Sequence, residues 1–243
     1  MNLQDRYKKI NDTIADSAIK AHRDPKSVTF IAVTKNGPTD QIKQLIEWGH
    51  HDLAESRVQQ LQQRAAQIEE WLLRQQGRTE KKLPAPGDIR WHMIGHLQRN
   101  KVRPVMQLCK SIQSVDSLRL AEEVQDESER LQKIMPVFLE INVAGEGTKF
   151  GVAVGAAVHL AEQIDTMDNC HLVGLMCMAP HTDNPEDARP VFVRLREIFE
   201  ELKFRKIGGD RLKHLSMGMS NDYAIAIEEG ATMVRIGTAL FGP

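Results

Sequence analysis

Val28-Thr29-Phe30-Ile31-Ala32-Val33-Thr34-Lys35 is a run of strand formers that ends in a lysine, and Asn36-Gly37-Pro38 supply a turn immediately after it. The pattern places Lys35 at the last strand position, so its ammonium emerges at the carboxyl end of a sheet or barrel. Low-polarity walls there lower a lysine's pKa and free its amine for Schiff-base chemistry. A strand-end lysine can equally snorkel to water, and this stretch alone leaves both readings open.

Upstream, Leu3, Tyr7, Ile10 and Ile14 share one helical face, so residues 1–24 read as a helix packed on the outside of the domain. Downstream, strand patterns recur at residues 50–54, 89–94, 110–115, 136–143, 171–178, 214–216 and 232–236, with amphipathic helical stripes between them. Together with residues 28–33 these make eight strands alternating with helices in a chain of 243 residues. The expected fold is α/β: a single (β/α)8 TIM barrel, one domain over residues 1–243, with an extra N-terminal helix. A doubly wound open sheet is the second choice, because no G-x-G-x-x-G follows the first strand. The polar segment 75–88 reads as a solvated loop on the face opposite the strand ends.

A hydrophobic content of 41% with 27% charged residues describes a globular chain able to bury a full core. A net charge of −1 gives no global field toward nucleic acid or an anionic membrane, so neither is expected as a partner. Cys109, Cys170 and Cys177 are too scattered for a disulfide framework or a zinc site. The first residues carry acidic side chains and no apolar run, which excludes a secretory signal and points to a cytoplasmic protein.

In a barrel, function belongs to the loops that follow the strands. Those loops hold Lys35, Glu55, Ser56, His96, Gln98, Asn100, Lys149 and Gly151, then residues 216–220 and 235–238, with His92 inside the third strand and Asn142 near the end of the fifth. Barrels often bind a phosphate between their last two loops, at a short helix's N-terminus. Ser216 offers a hydroxyl there, Gly218 and Gly237 permit close backbone approach, and Thr238 opens a terminal turn. Arg235 lies at the same end, as a salt-bridged barrel residue or a ligand contact. A lysine amine facing a phosphate site suggests an imine with a phosphorylated carbonyl compound, either a sugar phosphate or pyridoxal 5′-phosphate. Lys149 is the competing lysine, and His92 is either a proton shuttle or a hydrogen-bonded packing residue. No metal-ligand spacing, P-loop or nucleophile elbow occurs.

The segments AVTK (32–35), WHMIGHLQRNK (91–101), TKFG (148–151), LSMGMS (215–220) and MVRIGTALFG (233–242) together resemble the pyridoxal phosphate homeostasis proteins, whose fold is similar to the N-terminal barrel of alanine racemase. The resemblance implies pyridoxal 5′-phosphate held as a Schiff base on Lys35. It further implies that Ser216, Gly237 and Thr238 hold the phosphate and that Arg235 faces the pyridine nitrogen. A permanently cationic partner disfavours protonation of that nitrogen and weakens the cofactor as an electron sink. The chain ends at Pro243, without the second domain that gives alanine racemase its opposing tyrosine base, so the expected role is cofactor holding and delivery to apo-enzymes with little catalysis. An amino-acid racemase or Schiff-base aldolase is the alternative. Where the family has Phe-Gly-Glu-Asn after the second strand, this chain has Leu53-Ala54-Glu55-Ser56, so Ser56 takes the place of an asparagine near the cofactor ring.

Overall fold

The computed structural model describes residues 1–75, 83–145 and 150–242. Residues 76–82 of the expected loop 75–88 and the competing Lys149 lie outside the described residues, while Gln75 ends a helix and Pro86–Asp88 form a short 3-10 turn. The chain opens with helix α1 (Leu3–Lys20), begun by a capping box in which the Asp5 amide donates to Asn2 Oδ1 at 2.8 Å. Strand β1 (Thr29–Val33) follows, then α2 (Thr39–Glu47), β2 (Asp52–Glu55), α3 (Val58–Gln75), β3 (Arg90–Met93) and α4 (Val102–Leu108). The middle of the chain is β4 (Cys109–Val115), α5 (Leu118–Arg130), β5 (Met135–Asn142), β6 (Val152–Ala153) and α6 (Ala157–Asp165). It closes with β7 (Cys170–Met176), α7 (Arg189–Phe204), β8 (His214–Ser216), α8 (Tyr223–Glu228), β9 (Met233–Ile236) and the single turn α9 (Thr238–Phe241).

Every pairing between these strands is parallel. β1 pairs with both β2 and β9, and β4 pairs with β5, so the sheet closes into the expected eight-strand barrel. β6 is an addition that the sequence pattern did not announce. It is two residues long and, among the described residues, pairs with the end of β5 through Ile141 and Asn142. α1 lies outside the barrel against α8 and α9, where Arg23 donates to the Ile227 carbonyl at 3.0 Å and Lys20 pairs with Glu228 at 2.6 Å.

Alternation along each strand divides the barrel into two layers. Outward residues such as Ala32, Leu53, Met93, Ile112, Leu139, Leu215 and Val234 join the helix stripes in one continuous core. On α7 that stripe is Phe192, Leu195, Ile198, Phe199 and Leu202. Each such side chain contributes roughly 1.5–3 kcal/mol on full burial. The inward layer is unusually polar: His92, Ser111, Gln113, Glu140, Ser216 and Arg235 are all buried. Phe138 fills the middle, and Gly174 makes room for it, since a Cβ there would sit 2.7 Å from its ring.

Candidate functional site

Buried polar groups must be hydrogen-bonded, and the barrel interior meets that demand in two tiers. The lower tier sits at the start of the strands. His92 Nδ1 lies 2.8 Å from Ser111 Oγ, its Nε2 lies 3.2 Å from Asp52 Oδ1, and Arg90 grips Asp52 through both carboxylate oxygens at 2.8 and 2.6 Å. Burial pushes the Asp52 carboxyl's pKa up, but the hydrogen bonds from Arg90 and His92 outweigh it and hold the group well below the usual carboxylate range. Both ring nitrogens of buried His92 are thus engaged within this tier, as the packing reading of that residue expects. Asp52→Asn is expected to lower the unfolding free energy by about 1–3 kcal/mol. Cofactor affinity should stay the same; a parallel loss would reopen a functional role for His92.

The upper tier faces the mouth. Arg235 is 4% exposed. It donates through Nη1 to Ser216 Oγ at 2.7 Å and through Nη2 to the Cys177 carbonyl at 2.9 Å. Ser216 in turn donates to Gln113 Oε1 at 2.7 Å. Ser216 is therefore fully buried, and its one proton goes to Gln113 rather than toward the terminal turn where it was expected to hold a phosphate. The hydroxyl that reaches the terminal turn is Ser220. Its Oγ accepts the Ala239 amide at 3.1 Å, leaving its own proton free to donate. Gly218 (φ 91°) reverses the loop between the two serines, so residues four apart face opposite directions. Asp222 secures that loop by accepting the Met219 amide at 2.6 Å.

Lys35 also needs correcting. β1 ends at Val33, and Lys35 lies in the turn beyond it with an exposed side chain, not against low-polarity walls. Its amine makes no hydrogen bond or ion pair among the described residues. Its backbone is nevertheless well anchored. Thr34 Oγ1 donates to Glu55 Oε1 at 2.6 Å, Arg64 Nε holds the same oxygen at 3.0 Å, and the Gly37 amide closes the turn on the Thr34 carbonyl at 2.9 Å. Burial raises the Glu55 pKa against these contacts. Sequence reading noted Glu55 and gave it no role; here it fixes the residue before the lysine.

The turn after Lys35 leans on the far end of the chain. A Cβ at Gly37 would stand 2.9 Å from the Phe241 ring, and one at Gly237 would stand 3.2 Å from the Val33 carbonyl. Lys35, Gly237, Thr238 and Ser220 thus share one rim of the mouth, with Arg235 immediately beneath. Ser56 follows the end of β2 and packs its backbone against Gly95, where a Cβ would clash with the Ser56 carbonyl oxygen. Across the mouth, His96 pairs with Asp116 at 3.1 Å and stacks on Phe150 with ring centroids 4.0 Å apart. Asp116 thus commits its carboxylate to His96, and Ser117, at the start of α5, makes no side-chain cap.

With this geometry in place, likeness to known proteins can be read against it. The alanine racemase N-terminal domain family matches residues 17–243. A protein of Aquifex aeolicus named pyridoxal phosphate homeostasis protein is 35% identical over 242 residues, covering 100% of this chain and 98% of that one. The chain belongs to the pyridoxal phosphate homeostasis protein family. A solved member of this family, PipY of Synechococcus elongatus with pyridoxal phosphate bound, is similar at 31% identity and a TM-score of 0.77, over 94% of this chain and 100% of that one. Alanine racemase of Clostridium difficile shares the fold at 16% identity and a TM-score of 0.69, and this chain spans 56% of it. The family and the barrel are therefore those expected from the sequence. No helix among the described residues is long and apolar enough to cross a membrane, and no His, Cys, Asp or Glu group among them is placed to hold a metal.

Proposed function

We propose that this chain binds pyridoxal 5′-phosphate, holds its aldehyde covalently on Lys35, and serves intracellular cofactor homeostasis as a holder without substantial catalysis. The contact of the Gly37 turn with Phe241 carries the reading, because it sets an uncommitted primary amine beside the one-turn helix α9. The donor set fits the cofactor. The Thr238 amide and hydroxyl have no acceptor among the described residues, and Ser220 retains a donor proton, as a phosphate dianion requires. Arg235 supplies a buried cation for the aromatic ring, and Ser56, in the loop after β2, is the proposed contact on the ring's flank. When bound, the cofactor supplies an aldehyde that condenses reversibly with amines; the protein's part is to tether, orient and release it. PipY, similar over nearly the whole chain, carries the same compound in its solved structure.

Three free, buried cysteines suit a reducing compartment and a cytoplasmic location. Apo-enzymes that require pyridoxal phosphate are the proposed recipients. Purified protein mixed with pyridoxal phosphate should acquire visible absorption that survives gel filtration. Ser220→Ala and Thr238→Ala should each weaken retention about tenfold by deleting one charge-assisted phosphate hydrogen bond. Unchanged retention in both would remove the phosphate cup. Racemase or aldolase turnover at about 1 s⁻¹ or faster would overturn the holder reading in favour of an enzyme.

A further inference from the structure

We propose that Gln113 and Ser216 are positioning residues that hold the Arg235 guanidinium in one orientation and so set the protonation of the cofactor's pyridine nitrogen. This rests on the cofactor reading above and adds two residues to it, from strands β4 and β8.

The hydrogen bonds run in one direction only. A guanidinium can donate but never accept, so Ser216 Oγ is the acceptor in its 2.7 Å contact with Arg235 Nη1. The serine's single proton must then go elsewhere, and Gln113 Oε1 takes it at 2.7 Å. That fixes the glutamine amide, whose Nε2 is left facing Met233 Sδ at 3.7 Å. Each link therefore depends on the next. Gln113 and Ser216 are both 0% exposed, so no water can replace a lost partner cheaply. The second arm, from Nη2 to the Cys177 carbonyl at 2.9 Å, fixes the plane of the guanidinium.

The arrangement crosses the barrel. Gln113 lies on β4, Ser216 on β8 and Arg235 on β9, and the carbonyl acceptor follows the end of β7. Arg235 is thus aimed by the closed sheet and not by its own strand. Glu140 and Asp222 are the acids close enough to influence it, yet neither forms an ion pair with it among the described residues. The hydrogen bonds of Arg235 go to neutral acceptors, so no carboxylate among the described residues neutralises it by direct pairing. An arginine paired to a carboxylate would tolerate a protonated ring nitrogen.

The test uses the full chain, Gln113→Met (close in volume, with no acceptor), Ser216→Ala and the double variant. Each is loaded with pyridoxal phosphate labelled with ¹⁵N in the ring. Circular dichroism monitors the fold, and borohydride trapping monitors covalent attachment to Lys35. Both single variants should stay folded and trap the cofactor. Their ring ¹⁵N resonance should move toward the protonated position, and the pH midpoint of the visible absorption should shift by about one unit. The double variant should shift no further than the singles, because the residues act in series. Parent-like resonance and midpoint in either folded single variant would overturn the positioning role while leaving cofactor binding intact. Failure of the parent to take up cofactor would overturn the cofactor reading and this inference with it. If Gln113→Met does not fold, Ser216→Ala, which removes one oxygen from a small side chain, decides the question by the same two readouts.

Discussion

Lys35→Ala, loaded with pyridoxal phosphate and reduced with borohydride, is expected to carry no covalent cofactor above background, whereas the parent carries its label on the peptide containing Lys35. The size of the effect follows from the geometry. Lys35 is the lysine at the rim where the Gly37 turn meets Phe241, and its amine has no competing partner among the described residues. An exposed amine reacts slowly while protonated, so local concentration has to drive the condensation. In the proposed site Ser220, Thr238 and Arg235 would supply that concentration by holding the other parts of the same molecule. Lys35→Ala should therefore still bind the cofactor reversibly, through phosphate and ring, but more weakly and without the tether. Peptide mapping is the measurement. A label on Lys149 in the parent, or an undiminished label in Lys35→Ala, would remove Lys35 from the site.

Glu140→Gln is expected to change how stability depends on pH. Glu140 faces the barrel interior and is 2% exposed. Burial pushes its carboxyl from 4.5 up to about 7, Arg235 pulls it down, and Asp116 pushes it further up. The folded state therefore binds this proton more tightly than the unfolded chain does. The associated stability is fully present below about pH 4.5, falls as the pH rises, and is lost once the pH passes about 7. A rise from 4.5 to about 7 corresponds to roughly 3 kcal/mol. Glutamine stays neutral throughout, so the variant should match the parent near pH 4.5 and exceed it by up to about 3 kcal/mol near pH 8. Denaturant midpoints at the two pH values are the check. Parallel profiles for parent and variant would show that Glu140 ionises freely inside the folded barrel.

Much of the fold was legible in local pattern. Residues 28–33 and their seven counterparts announce themselves through β-branched runs broken by turn residues, and the helix stripes between them leave few other topologies. The rule that loops after strands carry function then put Lys35, Ser56, Arg235, Gly237 and Thr238 at one end of the barrel. The lysine's neighbours were harder to read. Strand β1 stops two residues before it, because Thr34 turns its hydroxyl to Glu55 and the Gly37 amide closes the chain back. Residue type could not foretell that exposure. The short strand β6 escaped notice for a similar reason, since two residues are too few to show a period.

The serines mark the boundary most sharply. Leu215-Ser216-Met217-Gly218-Met219-Ser220 offers two hydroxyls, and the sequence identifies the loop without saying which one faces the phosphate. The choice is made by Gly218, whose left-handed backbone turns Ser220 toward Ala239 and leaves Ser216 under Arg235. Gln113, far away in the chain, gave no signal because a glutamine in a strand carries no motif; only barrel closure brings it to Ser216. By itself the sequence determined the strands, their alternation with helices and the end of the barrel at which Lys35 and Thr238 emerge, all of which depend on neighbours a few residues apart. The tertiary structure alone decided which serine meets the terminal turn, which partners hold the arginine, and that the first strand's turn rests on the last helix. Those facts depend on sheet closure, which joins side chains that no local spacing relates.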